Sequence, residues 1–199
     1  MKPEPETLES LLAEVRACRR CEDVLPLGPR PVLRASATAR ILVVGQAPGT
    51  RVHETGIPWN DPSGDRLRAW MAVDRDTFYD ETRIAIIPMG YCYPGRDPRG
   101  GDLPPRPECA GHWLGRLLAQ LPRLELTILA GHYAQRYYLG GCVKTSLTET
   151  VRAWREFFPT YLPTPHPSPR NTLWLRRNPW FEAEAVPALR ARVRHVLAT

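Results

Sequence analysis

The 199-residue sequence has almost no lysine, no long apolar run and no internal repeat. No stretch approaches the roughly 18 consecutive apolar residues that a membrane-spanning helix needs. The first 20 residues are charged and lack the apolar core of a secretory signal peptide. These absences argue against an integral membrane protein and against a secreted one, so we expect the protein in the cytoplasm.

The sequence also lacks the even cysteine count of a disulfide framework. Its five cysteines are an odd number, which in a cytoplasmic chain argues against structural disulfides. Cys18 and Cys21 are separated by only two residues, a spacing that suggests a metal or cluster site.

Arginine supplies nearly all of the positive charge. Of the 27 basic residues only Lys2 and Lys144 are lysines, and the net charge is +6. Arginine makes planar, forked contacts to phosphate, so this composition is compatible with nucleic-acid binding. Codon usage in a GC-rich genome would produce the same bias, and composition does not separate the two explanations.

Length and composition predict one domain over residues 1–199. Hydrophobic residues make up 43% of the chain and charged residues 24%, which argues against wholesale disorder. The 22 prolines are about double the usual share and predict many shaped loops.

Short apolar runs alternate with segments of helical periodicity. Strands are predicted at 41–45, 84–88, 124–130 and 161–164. Helices are predicted at 6–18, 63–71, 108–121, 133–139 and 179–197, with a helical or mixed segment at 147–158. We expect Ser63 to cap the second helix. This alternation predicts a three-layer α/β/α fold with a central, mainly parallel four-stranded sheet.

The unusual loops of the sequence follow the predicted strands. They are residues 45–49, 88–96, 131–132 and 166–170. Because ligands bind beyond the carboxyl ends of strands in such folds, we predict that four strand ends converge on one cleft.

Two features of these loops are suited to binding a flat polar ligand. In the turn Gly45–Gly49 the glycines and Pro48 direct backbone N–H groups outward, where they can bind a carbonyl or an anion. Trp59 lies in a polar loop and could stack on a base or cover the sheet edge.

These residues resemble the uracil-DNA glycosylase superfamily. The string Gly-Gln-Ala-Pro-Gly at 45–49, followed by Gly-Ile-Pro-Trp at 56–59 and by Gly64, is similar to its first motif. His-Pro-Ser-Pro at 166–169 resembles its second. The resemblance implies a monomeric, monofunctional base-excision repair enzyme. It would hydrolyse the N-glycosidic bond of uracil in single- or double-stranded DNA and leave an abasic site.

The resemblance is closest to the iron–sulfur branch of that superfamily, from which this chain diverges. It implies that Cys18, Cys21, Cys92 and Cys109 hold a [4Fe–4S] cluster, and zinc would accept the same four thiolates. Cys142 is left over and is interpreted as structural.

The resemblance also implies roles in base binding. Gly45, Gln46 and Ala47 would form the uracil-binding turn, and Trp59 would replace a phenylalanine that stacks on uracil. His166 would lie near uracil O2, where a hydrogen bond or a positive charge can stabilise the departing anion.

Further residues would contact the DNA. The resemblance implies that Ser168 contacts a phosphate and that Arg170 fills the place of a flipped nucleotide or holds a phosphate. The segment beginning at Asn171 could line a DNA groove. It could equally begin a core helix with Trp174 and Trp180 inside.

The chain departs from the family pattern where water is activated and the base is read. Ala47 stands where the most active members have an aspartate, and Pro88 stands where an asparagine reads uracil. Candidates to supply these roles are Gln46, His53, Asn60, Asp61 and His132. The departures leave two alternatives open, a catalytically weak DNA-damage-binding module and a glycosylase for hypoxanthine or xanthine.

Overall fold

A parallel sheet forms the centre of the protein, for which a computed structural model describes residues 6–198. Its strands are β1 (Ile41–Val44), β2 (Ile84–Ile86), β3 (Leu126–Ala130) and β4 (Tyr161–Thr164). They lie in the order β2-β1-β3-β4, and every pairing is parallel. The predicted four-stranded sheet is therefore confirmed.

Helices surround the sheet. They are α1 (Leu8–Arg16), α2 (Thr50–Thr55), α3 (Pro62–Met71), α4 (Arg75–Tyr79), α5 (Pro107–Cys109), α6 (Gly115–Ala119), α7 (His132–Leu139), α8 (Leu147–Arg152), α9 (Thr172–Arg177) and α10 (Val186–Ala198). A π-helical turn at Ala110–Leu114 joins α5 to α6, and another at Phe181–Ala185 precedes α10. Within residues 6–198, no helix has both the length and the apolar character needed to cross a bilayer.

The side chains of β1 alternate between two hydrophobic cores. Leu42 and Val44 pack in a core that includes residues of α1, α6 and α7. Ile41 and Val43 pack in a second core with residues of α3, α9 and α10. Because successive strand residues point to opposite faces, the helices cover both sides of the sheet. This confirms the predicted three-layer α/β/α fold.

Two helices are absent from the sequence prediction. Helix α2 lies in the loop between the Gly45–Gly49 turn and Trp59, for which no helix is predicted. Helix α4 begins after its N-cap residue, Asp74. These helices contain only six and five residues, so neither carries enough turns to show an apolar period. Helix α2 matters for the site because it separates the Gly45–Gly49 turn from Trp59.

The predicted cap of α3 was wrong. Asp61, not Ser63, is the N-cap residue, and its Oδ1 accepts a hydrogen bond from the Gly64 N–H at 2.9 Å. Pro62 occupies the first helical position, where its fixed φ suits a helix start and its missing N–H costs nothing.

The segment after the second motif belongs to the core. Trp174 and Trp180 lie around Phe181, with ring centroids 5.8 and 6.2 Å from it. The indole N–H of Trp174 donates to Thr148 Oγ1 at 2.8 Å. These contacts favour the core-helix alternative for the tryptophans. Cys142, in contrast, is exposed.

We predict that Leu11→Ala lowers the free energy of unfolding by about 2–5 kcal/mol, because Leu11 is fully buried in α1. Leu27→Ala is the matched control. Leu27 is 50% exposed, and its loss should change stability by less than about 0.5 kcal/mol. Urea unfolding measures both, and equal effects would contradict the docking of α1 described here.

Candidate functional site

A cleft of about 420 Å³ opens at the carboxyl ends of the strands. The turn after β1 lines it, together with Pro88 after β2, His166 after β4 and a fourth segment at Gly101 and Asp102. The cleft brings together nine residues predicted from the sequence: Gly45, Gln46, Ala47, Trp59, Asp61, His166, Ser168, Arg170 and Asn171.

Three other candidates lie outside this lining. His53 is partly buried in α2, and its Nδ1 has no hydrogen-bond partner among residues 6–198. His132 is exposed at the start of α7, with its ring 3.8 Å from that of Tyr133. Asn60 accepts a hydrogen bond from Arg75 at 3.0 Å.

The end of β3 supports the cleft without lining it. Gly131 has a φ of +90°, and a Cβ placed on it would lie 3.5 Å from the Cβ of His166. Three strand ends therefore line the cleft instead of the predicted four, and the fourth packs beneath His166.

Trp59 occupies a tight seat made by two glycines. Its backbone is left-handed, with a φ of 56°, which costs energy in a residue with a side chain. A Cβ on Gly45 would lie 2.6 Å from Cζ2 of the indole, and a Cβ on Gly64 would lie 1.8 Å from the Trp59 carbonyl oxygen. No larger residue fits at either position without moving the tryptophan.

The indole lines the cleft and also packs against the second hydrophobic core. The rings of Trp59 and His166 are stacked, with centroids 5.4 Å apart and an interplanar angle of 27°. The indole and the imidazole therefore both line the cleft, with one ring stacked on the other.

The imidazole of His166 is uncharged at neutral pH. Burial lowers the pKa of His166 to about 4, and the nearby Asp61 carboxylate opposes this only in part. The lowered pKa favours the neutral imidazole, which can donate a hydrogen bond.

Side chains from three segments hold the backbone around His166. The side-chain amide of Asn171 donates to the His166 carbonyl at 2.7 Å. This hydrogen bond holds the loop between His166 and Asn171. Arg66 in α3 donates to the Ser168 carbonyl at 2.9 Å. Gln135, buried in α7, donates to the Thr164 carbonyl at 2.8 Å. Sequence reasoning missed Arg66 and Gln135, since neither belongs to a motif.

Backbone hydrogen bonds fix the turn after β1. The N–H groups of Met89 and Gly90 donate to the carbonyls of Gly45 and Gln46, both at 2.9 Å. The side-chain amide of Gln46 donates to the Leu103 carbonyl at 3.0 Å. This side chain therefore ties the turn to the loop that contains Leu103.

That loop carries a carboxylate, Asp102, which sequence reasoning did not single out. Burial raises the pKa of Asp102, and the charges of Arg170 and Arg96 act in the opposite direction. The aspartate lies in a glycine- and proline-rich loop with no recognisable motif, so the sequence carries no signal for it.

The four predicted cysteine ligands line one small cavity of about 20 Å³. They are Cys18, Cys21, Cys92 and Cys109. Burial raises the pKa of Cys92 to about 12 and that of Cys109 to about 11, so these thiols are protonated unless a cation binds them. Among residues 6–198, no three His, Cys, Asp or Glu side chains lie in positions that would already hold a metal ion.

The glycine seat of Trp59 gives a prediction with a matched control. Gly64→Ala should lower the free energy of unfolding by about 1–3 kcal/mol because its methyl group collides with the Trp59 carbonyl. Gly115→Ala, with open space around its Cβ, should leave stability unchanged or raise it by up to about 1 kcal/mol. Thermal unfolding measures both. A fully stable Gly64→Ala would contradict this seat.

The chain matches the family model of the uracil DNA glycosylase superfamily over residues 34–190. Among solved structures, it is similar to the NMR structure of a proposed uracil DNA glycosylase from Methanosarcina acetivorans. The two are 16% identical, the match covers 81% of this chain and 98% of that chain, and the TM-score is 0.47. The family match spans well over half of the chain and includes every cleft residue from Gly45 to Asn171. The chain therefore belongs to the uracil DNA glycosylase superfamily.

Proposed function

We propose that the protein is a DNA repair glycosylase that hydrolyses the N-glycosidic bond of uracil in DNA and leaves an abasic site. The observation that carries this proposal is the stacked pair of Trp59 and neutral His166 beside the Gly45–Gly49 turn. An aromatic face, outward N–H groups and an uncharged hydrogen-bond donor suit a pyrimidine with two carbonyl groups.

The base reaches the cleft by leaving the duplex stack. Flipping a nucleotide costs a few kcal/mol, least where the base is mispaired or already single-stranded. Stacking on Trp59 would return about 1–3 kcal/mol, and the N–H groups of the Gly45–Gly49 turn would bind a carbonyl of the base. Arg170 and Ser168 line the same cleft and would contact the DNA backbone.

His166 stabilises the leaving group in this proposal. When the glycosidic bond breaks, negative charge develops on uracil, and a hydrogen bond from imidazole to O2 strengthens as the charge grows. An interaction that is stronger in the transition state than in the ground state raises the rate of the chemical step. A neutral imidazole provides this without first having to gain a proton.

The test is single-turnover excision on oligonucleotides carrying one uracil, either single-stranded or paired with adenine or guanine. His166→Ala should lower the excision rate by a factor of about 10²–10³ while changing DNA binding little. Equal losses in rate and binding would contradict a transition-state role.

The pH dependence follows from the lowered pKa of His166. Because the imidazole is already neutral well above pH 4, the excision rate should not rise as the pH falls from 8 to 6. An imidazole that acted as a cation with the ordinary pKa of 6.5 would give a rate that rises through that range. The same oligonucleotides measure this profile, and such a rise would contradict a neutral His166.

Pro88 favours testing a second base class. It lines the cleft after β2, and its ring offers no hydrogen-bond donor or acceptor with which to read a base. Oligonucleotides carrying hypoxanthine or xanthine belong in the same assay. If only hypoxanthine or xanthine is released, that base and not uracil is the substrate. If damaged DNA is bound tightly but no base is released, the protein is better explained as a DNA-damage-binding module.

We further propose that the four cysteines hold a [4Fe–4S] cluster. Four thiols with no histidine are the donor set that such a cluster uses, and Arg20 and Arg106 line the same cavity. Positive charge beside the site would offset the negative charge of the bound thiolates. When bound, the group would join the segment after α1 to both ends of the loop 92–109. Zinc at the same cysteines is the alternative.

The metal content separates these outcomes. Protein purified without oxygen should contain iron and sulfide and absorb at about 400 nm, and Cys21→Ser should lose both signals. Cys142→Ser is the control, since Cys142 is exposed and does not line the cavity. Stoichiometric zinc without iron would replace the cluster, and an unchanged Cys21→Ser would contradict a four-cysteine site.

A further inference from the structure

We propose that Asp102 is the carboxylate that orients and deprotonates the attacking water. This inference rests on the proposed glycosylase function and supplies the group that Ala47 cannot provide. It assigns the water-activating role to the loop after β2 and not to the turn after β1.

A closed turn aims Asp102 at the cleft. Gly100 and Gly101 are both left-handed, with φ values of +99° and +97°, a conformation that favours glycine. The Asp97 N–H donates to the Gly101 carbonyl at 2.9 Å, and Arg96 and Asp102 pair as an isolated antiparallel bridge. Hydrogen bonds therefore hold the backbone that carries Asp102.

The carboxylate lies over the base-binding turn. Asp102 lines the cleft, and its Oδ2 lies 3.6 Å from the point where a Cβ on Gly49 would stand. Gly49 and Ala47 belong to the same turn after β1. The carboxylate is thus close to the segment that carries the water-activating group in other members, although it comes from a different loop.

Asp102 is also uncommitted, whereas the other carboxylate of the cleft is not. Asp61 caps α3 through the Gly64 N–H. Within residues 6–198, no hydrogen bond to the Asp102 side chain contributes to its electrostatics, which come from burial and from nearby charges. Its oxygens are therefore available to a water molecule.

The charges around Asp102 suit a general base. Arg170 and Arg96 favour its ionised form, while Asp61 and burial oppose it. Burial raises the pKa of Asp102 above that of an exposed aspartate, which makes its carboxylate a stronger base. His166 in the same cleft is neutral, so it does not compete as a charged partner.

The step balances as a simple hydrolysis. The bond between C1′ of the sugar and N1 of uracil breaks, and its electron pair stays on uracil. The water oxygen bonds to C1′, and one water proton passes to Asp102. The carboxylic acid then returns this proton to the uracil anion or to solvent, which leaves uracil and an abasic sugar.

The experiment compares Asp102→Asn with Asp97→Asn in single-turnover excision. Asp97 lies in the same loop, and its carboxylate hydrogen-bonds Arg99. Asp102→Asn should lower the rate by a factor of about 10²–10⁴, the usual contribution of a general base, and Asp97→Asn should lower it little. Binding of DNA carrying a 2′-fluoro deoxyuridine, whose glycosidic bond resists cleavage, should be unchanged or slightly tighter in Asp102→Asn.

The pH profile separates a base from a purely structural residue. The wild-type rate should rise with pH as Asp102 loses its proton, and Asp102→Asn should lack this acidic limb while Asp97→Asn retains it. Asp102→Glu serves as a second variant. It should keep the limb at a reduced rate, because the carboxylate is present but displaced.

The assay distinguishes a wrong assignment of Asp102 from a wrong proposed function. If the wild type releases uracil and Asp102→Asn matches it in rate and in pH profile, the role of Asp102 is wrong and the proposed function stands. If the wild type releases no uracil, the proposed function fails first. Asp102→Asn that loses binding and rate equally would also overturn the assignment.

Discussion

The close approach of Trp59 to the backbone of Gly45 and Gly64 is the contact on which the cleft depends. It joins the end of β1 to the start of α3 and holds the indole in a left-handed backbone position. The same indole is one wall of the cleft and is stacked on His166. Removing the space at either glycine would displace an aromatic wall, and with it the surface on which His166 rests.

The cleft contains two titratable groups that differ in charge, the imidazole of His166 and the carboxylate of Asp102. On the side of β4, burial keeps His166 neutral, and its loop is held by Asn171 and Arg66. Asp102 carries an ionisable carboxylate near Arg170. In the proposed reaction, the imidazole would donate a hydrogen bond to the leaving group and the carboxylate would activate the water.

The sequence predicts the sheet well because each strand is a short apolar run buried on both faces. It also predicts Gly45, Trp59 and His166 as neighbours, since their loops follow strands that end at one edge of the sheet. It does not predict α2 and α4, which are too short to show a period. It also placed His53 and His132 in the site by their nearness to motifs. Helix orientation, which the sequence does not reveal, directs both of these histidines elsewhere.

Asp102 could not be found by the same reasoning, because its position depends on two left-handed glycines and on a turn closed by its own backbone. Buried Gln135 is similar, since only the packed structure shows that it holds the carbonyl of Thr164, at the end of the strand before His166. Motif matching identifies residues that recur in fixed strings. Residues that reach the site from an irregular loop or a helix face become visible only in three dimensions.

The loop that carries Asp102 begins and ends at the cysteine cavity, because Cys92 precedes it and Cys109 follows it. A chain segment whose two ends are held together loses less entropy on becoming ordered than a free segment of the same length. Binding of the proposed cluster in that cavity would therefore favour the ordered form of the loop that carries the carboxylate. A group bound by the four thiols would therefore affect how well ordered the loop at the cleft is, although the group itself lies outside the cleft.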